Sequence, residues 1–197
     1  MYFSKALDMS SAGHTNDSPD NGHSTNGFKM RTPSLKFVYH LECEMSQENH
    51  VVGAQFGTSN ARVIMPIVGG TVKGPRISAI IQNMSGADWG LAIGGTGTRA
   101  AAYTSQLMRL DARYTLKTDD GHYIYVRSKG IFKPGPGVDI NPATRTRMTQ
   151  DEVEWFTRLQ FEASGPYDWM NSVFGIGVLA MDESKILIDA YELTNFM

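Results

Sequence analysis

The chain has a single cysteine, Cys43, among its 197 residues. An intramolecular disulfide is therefore excluded, and so is a cysteine-rich metal site; a lone thiol in a strand reads as a small buried side chain. Long apolar runs are missing as well. None approaches the roughly 20 residues that a bilayer-spanning helix needs, and the opening "MYFSKALDMSSAGHTND" lacks the apolar segment of a secretory signal. Neither sign of charge dominates: 18 basic against 20 acidic residues leave a formal net charge of -2, too little for a broad field that attracts nucleic acid or an anionic membrane. The expectation is a cytoplasmic protein that binds neither.

Several catalytic signatures are also absent. No Gly-Lys-Ser/Thr phosphate loop occurs, and no Gly-x-Gly-x-x-Gly opens a helix. Gly-x-Ser-x-Gly is missing, and His40 falls on the opposite strand face from Cys43, a poor nucleophile-base arrangement. His40, His50 and His122 are too dispersed to predict a metal site. Neither a metal nor a cofactor is expected.

What remains is a chain that is 41% hydrophobic and 19% charged, enough for one globular domain with a real core. From Ser10 to Thr32 it reads "SSAGHTNDSPDNGHSTNGFKMRT", too polar to offset its ordering entropy, which predicts a mobile tail over residues 1–33. His14 and His23 in this tract read as chance. Beyond Pro33 the pattern has period two and is punctuated by glycine. "SLKFVYHLECEM" alternates Leu35, Phe37, Tyr39, Leu41, Cys43 and Met45 against Lys36, Val38, His40, Glu42 and Glu44. "ARVIMPIVGGTVKGPRISAIIQN" supplies two strands that turn or bulge at Gly69-Gly70 and Gly74-Pro75. "ADWGLAI", "WFTRLQFEA", "SVFGIGVLAM" and "KILIDAYEL" follow the same logic, with one helical turn expected around "TQDEVEW". Nine or ten strands and one or two short helices predict an all-β fold over residues 34–197, an antiparallel barrel or closed sandwich.

The stretch "LDARYTLKTDDGHYIYVRSKG", Leu110 to Gly130, is a hairpin whose turn sets its register. A two-residue turn at Asp120-Gly121 would place Arg113 opposite Ser128. A three-residue Asp119-Asp120-Gly121 loop, suited to a type I turn closed by a left-handed glycine, places Arg113 opposite Arg127 and is favoured. Asp111, Arg113, Thr115 and Lys117 then share a face with Tyr123, Tyr125, Arg127 and Lys129. Leu110, Ala112, Tyr114 and Leu116 share the other with Ile124 and Val126. Either the apolar face is the core and the charged face is solvated, or the charged face lines a lumen and the apolar face packs elsewhere. Asp88 and Trp89 in "GADWGLAI", with Glu162, Tyr167 and Trp169 in "LQFEASGPYDWMNS", have the composition of a small-molecule cavity lining.

"MPIVGGTVKGPRISAII", "GADWGLAI", the hairpin and "FEASGPYDWMNSVFGIGV" together resemble, in order, the motifs of domain of unknown function 3237, also called uncharacterised protein family 0311. The resemblance covers roughly Leu35 to Leu193 and departs at the tail and at the insertion "GGTGTRAAAYTSQ". It implies a small antiparallel, lipocalin-like (calycin-like) β-barrel with a central cavity, and it turns the polar face of the hairpin inward. On that footing the expectation is a cofactor-independent cyclase or isomerase of secondary metabolism, acting on a mostly apolar carbonyl- or phenol-containing molecule. Asp111 or Asp88 would move a proton, Arg113 and Arg127 would hold an enolate or carbonyl oxygen, and Tyr125 would donate to it. Trp89, Glu162, Tyr167, Trp169 and His40 would bind the substrate. A non-catalytic binder of a hydrophobic ligand would use the same cavity, and a structural module would make the charged residues a satisfied ion-pair network. A homodimer would cover the apolar face of the hairpin if that face pointed outward.

Overall fold

The structure is a computed structural model, and it describes residues 24–25, 28–53, 55–94, 107–138, 140, 145–183 and 185–196. The chain divides into two units, residues 1–32 and 33–197. In the first, Ser24–Thr25 (β1) pairs antiparallel with Phe28–Lys29 (β2). The rest of the tail expected over residues 1–33 lies mostly outside the described residues, as does nearly all of the "GGTGTRAAAYTSQ" insertion.

The second unit is a closed antiparallel barrel. Its strands are β3 (Ser34–Met45), β5 (Ala61–Gly74), β6 (Ile77–Ile81), β7 (Gly86–Ile93), β8 (Leu107–Thr118), β9 (Tyr123–Pro134), β10 (Val153–Glu162), β11 (Gly175–Asp182) and β12 (Lys185–Thr194), with β4 (His50–Val52) lying against β5. The ring runs β3-β12-β11-β10-β9-β8, passes through β6 and β7, which share one position between β8 and β5, and closes where β5 pairs with β3. Eight staves thus leave no free edge around the ring, which removes the open backbone groups that would template aggregation. Strand β5 serves two neighbours on each side because it bends at Gly70, whose φ of 143° lets the backbone pass so near β3 that a Cβ would stand 2.2 Å from the Glu42 carbonyl oxygen.

The alternation of β3 holds from Tyr39 to Met45 and fails before it. A β-bulge opposite Ala190 and Tyr191 adds a residue, so Val38 and Tyr39 are both buried while Leu35 and Phe37, read as core, are 52% and 40% exposed. A bulge shifts the face of every residue beyond it. The helical turn expected around "TQDEVEW" is a simple turn. Glu152 closes it by accepting from the Thr149 N–H (3.0 Å) and hydroxyl (3.3 Å), and Val153 already begins β10.

Besides a single 3-10 turn at Gln55–Gly57, the unit carries a 3-10 helix at Gly165–Ser172, opened by a positive-φ glycine and Pro166. Fully buried Met170 drives it into one end of the barrel, and Tyr167 and Trp169 pack beside it on the core formed by Tyr39, Leu41, Tyr114 and Leu116. Burying such a side chain contributes about 1.5–3 kcal/mol. Asn171 fastens the helix to the end of β10, its amide accepting from the Ala163 N–H and donating to the Ala163 carbonyl, each at 2.8 Å. A second cluster, Ala92, Met108, Leu110, Phe132, Ile140, Met148 and Val153, gathers toward the opposite end. Among the described residues no helix is long and apolar enough to cross a membrane.

Candidate functional site: a barrel cavity around Asp88

The β8–β9 hairpin takes the register set by its three-residue loop. Arg113 lies opposite Arg127 and Lys117 opposite Tyr123, while Thr118 and His122 close the loop through an N–H to carbonyl bond of 2.9 Å. Gly121 supplies the left-handed residue, with φ of 92°.

The direction of the hairpin corrects the inward expectation. Leu110, Ala112, Tyr114, Leu116, Ile124 and Val126 are buried, and Asp111, Arg113, Tyr125 and Arg127 stand on the outer wall. There Asp111 accepts from Arg113 Nη2 at 3.1 Å and Arg127 Nε at 3.4 Å, with Lys129 Nζ 3.4 Å away. Partial burial opposes ionisation of Asp111. The Arg127 hydrogen bond and the charges of Arg113, Lys129 and Arg127 outweigh it and hold the carboxyl below its ordinary range. One carboxylate against three cations suits a half-solvated surface. Inside the barrel the uncompensated cations would cost several kcal/mol each. With its apolar face inward, the hairpin needs no second subunit to cover it.

The interior holds a cavity of about 470 Å³. Its wall includes Val63, Ile67, Leu110, Phe132, Leu179 and Ile188, together with five methionines, Met45, Met65, Met108, Met148 and Met181. Ser46, Gln47, Asn49, Ile140 and Arg145 line it at the end away from the 3-10 helix, which is also where the flanks of the insertion, Ile93 and Leu107, end their strands. Arg145 is held by an ion pair to Glu152.

Asp88 is the acidic residue of this wall among the described residues. Strand alternation places it inward with Met65 and Ala112, its neighbours in the sheet, and sends Trp89 outward. Between Asp88↔Ala112 and Leu91↔Arg109 the β7–β8 pairing is interrupted, and the Asp111 N–H freed there donates to Asp88 Oδ1 at 3.0 Å. The part of Asp88 that stays accessible faces the cavity. Burial pushes its carboxyl up to about 7, against the Asp111 N–H bond and the Arg62 charge, and the Asp111 charge pushes the same way as burial. Cys43 and Tyr114 share the lining; burial drives the Cys43 thiol up to about 12 and the Tyr114 phenol well above its ordinary value. At neutral pH the Tyr114 phenol and the Cys43 thiol therefore stay neutral, the thiol donating to Met45 Sδ at 3.5 Å, beside one carboxyl poised between its two forms.

The remaining residues put forward from sequence lie elsewhere. Trp89 is on the outer wall, with the Arg113 guanidinium 5.5 Å from its ring centroid. Glu162 is exposed at the end of β10. Tyr167 and Trp169 belong to the 3-10 helix, Tyr167 donating to Asp120 Oδ1 at 3.1 Å and Trp169 carrying Arg76 over its ring at 3.9 Å. His40 faces outward and contacts Asp189 at 2.7 Å. Asp88 alone of the ten lines the cavity, because the other nine occupy outward strand positions or the end plug. Tyr114, Trp155, Thr157 and Arg145 line it without having been singled out. A hydroxyl or indole on an otherwise apolar strand face was the available signal, as in "VEWFTRLQF", where Trp155 and Thr157 share one face with Val153, Leu159 and Phe161. Among the described residues no cluster of three or more His, Cys, Asp or Glu is placed to hold a metal ion.

Known proteins share this architecture. A family model described as "Protein of unknown function (DUF3237)" matches residues 33–193. A UPF0311 protein of Rhodopseudomonas palustris is 29% identical over 164 residues, spanning 82% of this chain and 99% of that protein. Another from Bradyrhizobium diazoefficiens is 25% identical over 166 residues, with the same coverage of 82% and 99%. Among solved structures, a β-barrel-like protein of Acinetobacter baumannii gives a TM-score of 0.66 at 26% identity, covering 84% of this chain and 98% of its own. A protein of Penicillium herquei described as an enzyme gives a TM-score of 0.55 at 16% identity, over 85% and 98%, a likeness of fold alone. By the extent of the family match and the barrel that its relatives share, this chain belongs to the DUF3237 (UPF0311) family.

Proposed function

We propose that the protein is a cofactor-independent enzyme of the isomerase or cyclase type, which binds a mostly apolar carbonyl- or phenol-containing molecule in the barrel cavity and moves a proton with Asp88. The observation that carries this reading is a carboxyl, single among the described lining residues and poised near pH 7, in an apolar cavity large enough for a small molecule. A general base works best when its pKa lies near the working pH, because both protonation states are then within reach. In the proposed step the Asp88 carboxylate takes a proton from the carbon beside a carbonyl, and the C–H electron pair moves into an enolate. The Tyr114 phenol offers a neutral donor to a developing negative charge in a largely apolar site. The Asp88 carboxylic acid then returns the proton to another carbon of the enolate system, or the enolate carbon attacks a second carbonyl carbon of the same molecule, whose C=O π pair becomes an alkoxide that takes the proton from Asp88. The fold shared with a Penicillium herquei protein described as an enzyme is a supporting analogy.

The test uses an aryl ketone probe that also carries a phenol at its far end, 6-acetyl-2-naphthol, in deuterium oxide. Wild-type protein should accelerate exchange of the methyl protons beside the carbonyl, with a rate that rises through pH 7 and levels above it. Asp88→Asn should bring the rate to the buffer level while keeping the ketone bound, and Asp111→Ala should keep the plateau rate while moving the midpoint slightly lower, because the Asp111 charge helps raise the Asp88 carboxyl. Binding without any accelerated exchange would make the protein a carrier of hydrophobic ligands, the reading that the cavity's largely apolar wall otherwise favours.

A further inference from the structure

Three polar groups in the cavity wall have no partner among the described residues, and one of them, the Tyr114 hydroxyl, belongs to the site already described. Trp155 Nε1 and Thr157 Oγ1 are both buried without a hydrogen bond, and both residues line the cavity. They stand two residues apart on the inner face of β10, and strand geometry puts such side chains side by side. Native proteins rarely leave buried donors unmade, so two neighbours on one wall call for a reason. We infer that Trp155 and Thr157 form a subsite for an acceptor oxygen, a carbonyl or phenolate oxygen, of an aromatic ligand. The inference rests on the reading of the cavity as a small-molecule site.

The donor chemistry selects the oxygen. An indole N–H can only donate, and a threonine hydroxyl can turn to donate beside it, so the pair accepts an oxygen with free lone pairs and discriminates against a methylene of the same shape. The surroundings select an aromatic body. Phe132 stands edge-on to the Trp155 ring at 4.9 Å, and Met108, Met148 and Met181 offer polarizable sulfur along the same lining.

The barrel makes room for the hydroxyl. Thr157 is paired with Gly177 on β11, and a Cβ at position 177 would stand 2.5 Å from Thr157 Oγ1. Any side chain at 177 would displace the hydroxyl, so glycine there is part of the subsite's construction. The sheet register runs from Asp88 through Ala112 and Ser128 to Leu159. Thr157 and Trp155 are therefore two and four residues nearer the end away from the 3-10 helix, across the lumen and beyond β8 and β9. An oxygen held there is remote from Asp88, so in a ligand with two oxygens the molecule extends across the cavity and presents its other oxygen, with the carbon beside it, on the side of Asp88.

The experiment compares 2-acetylnaphthalene with 2-isopropenylnaphthalene, which replaces the carbonyl oxygen by a methylene, using titration calorimetry. Wild-type protein should bind the ketone about tenfold more tightly, the ratio that roughly one lost charge-free hydrogen bond produces. Trp155→Phe and Thr157→Val should each bring the two affinities to near equality, and Thr157→Ser should keep the preference. A second readout separates a ligand role from a structural one: without ligand, Thr157→Val should melt no lower than wild type, because it removes an unsatisfied hydroxyl at constant shape. Equal affinities in the wild type, or a preference that survives both variants, would overturn the subsite and leave the cavity reading standing. Binding of neither compound would overturn the cavity reading and the subsite with it.

Discussion

Replacing Asp88 with asparagine should stabilise the protein, and by an amount that depends on pH. The carboxyl sits at about 7 in the folded chain against an ordinary 3.8. Below pH 4 it is neutral in both states and contributes no difference. Between pH 4 and 7 the unfolded chain releases its proton while the folded chain keeps it, so folding is progressively disfavoured. Above pH 7 the penalty is complete. A separation of about 3 pH units, at about 1.4 kcal/mol each, sets a ceiling of about 4 kcal/mol. Water entering the cavity to solvate the carboxylate brings the expected value to about 2–4 kcal/mol. Asp88→Asn escapes this penalty and still presents an oxygen to the Asp111 N–H. Urea unfolding of both proteins from pH 4 to 8.5 should give curves that coincide at the acid end and separate through neutrality, with the variant the more stable. In thermal melts above pH 7.5 the gap should be about 5–15 °C for a chain of this size. Parallel curves at all pH values, or a variant that is less stable at pH 8, would refute the assignment of Asp88 as a carboxyl raised by burial.

Three further outcomes follow from the same structure. Asp111→Ala should lower stability by about 1 kcal/mol, the range of a partly exposed ion-pair network, and because the folded-state value of Asp111 is depressed, its contribution should fade as pH falls below about 4 in urea titrations. Asp120→Asn weakens the acceptor of the Thr118 and Tyr167 hydroxyls and of His122; hydrogen exchange at residues 166–172 should quicken while the β-strand amides keep their protection. Cys43 should stay unreactive toward a disulfide reagent at pH 8 in the folded protein and react at once in denaturant, because burial keeps it a thiol.

Much of the barrel was legible because its strands obey local rules. Asp119-Asp120-Gly121 allows one comfortable hairpin loop, and that loop fixes which residues face each other across β8 and β9. The alternation of "LQF" and "RYTL" separates two faces of a sheet without ambiguity. What the pattern leaves undetermined is which face is the inside, since an apolar face and a charged face alternate identically in a barrel with a polar lumen and in one with an apolar lumen. Resemblance to the family settled the fold and pointed the charged face the wrong way. Closure decides the matter through the cost of burial: Arg113, Arg127 and Lys129 around one Asp111 belong at the surface. Asp88 was legible as a carboxylate among small and aromatic residues. Its separation from Trp89, one inward and one outward, is a consequence of period two that the "ADWG" stretch alone does not orient. The bulge beside Tyr191 was invisible for a similar reason: it is a property of the pairing between β3 and β12, two strands about 150 residues apart in the chain.

The most direct test is a crystal structure of the wild-type protein soaked with 2-acetylnaphthalene. The account predicts density inside the barrel, bounded by Asp88, Tyr114, Phe132 and Trp155, with the outer wall of the hairpin empty. Density lodged instead on the outer wall beside Asp111, Arg113 and Arg127, with an unfilled lumen, would contradict it.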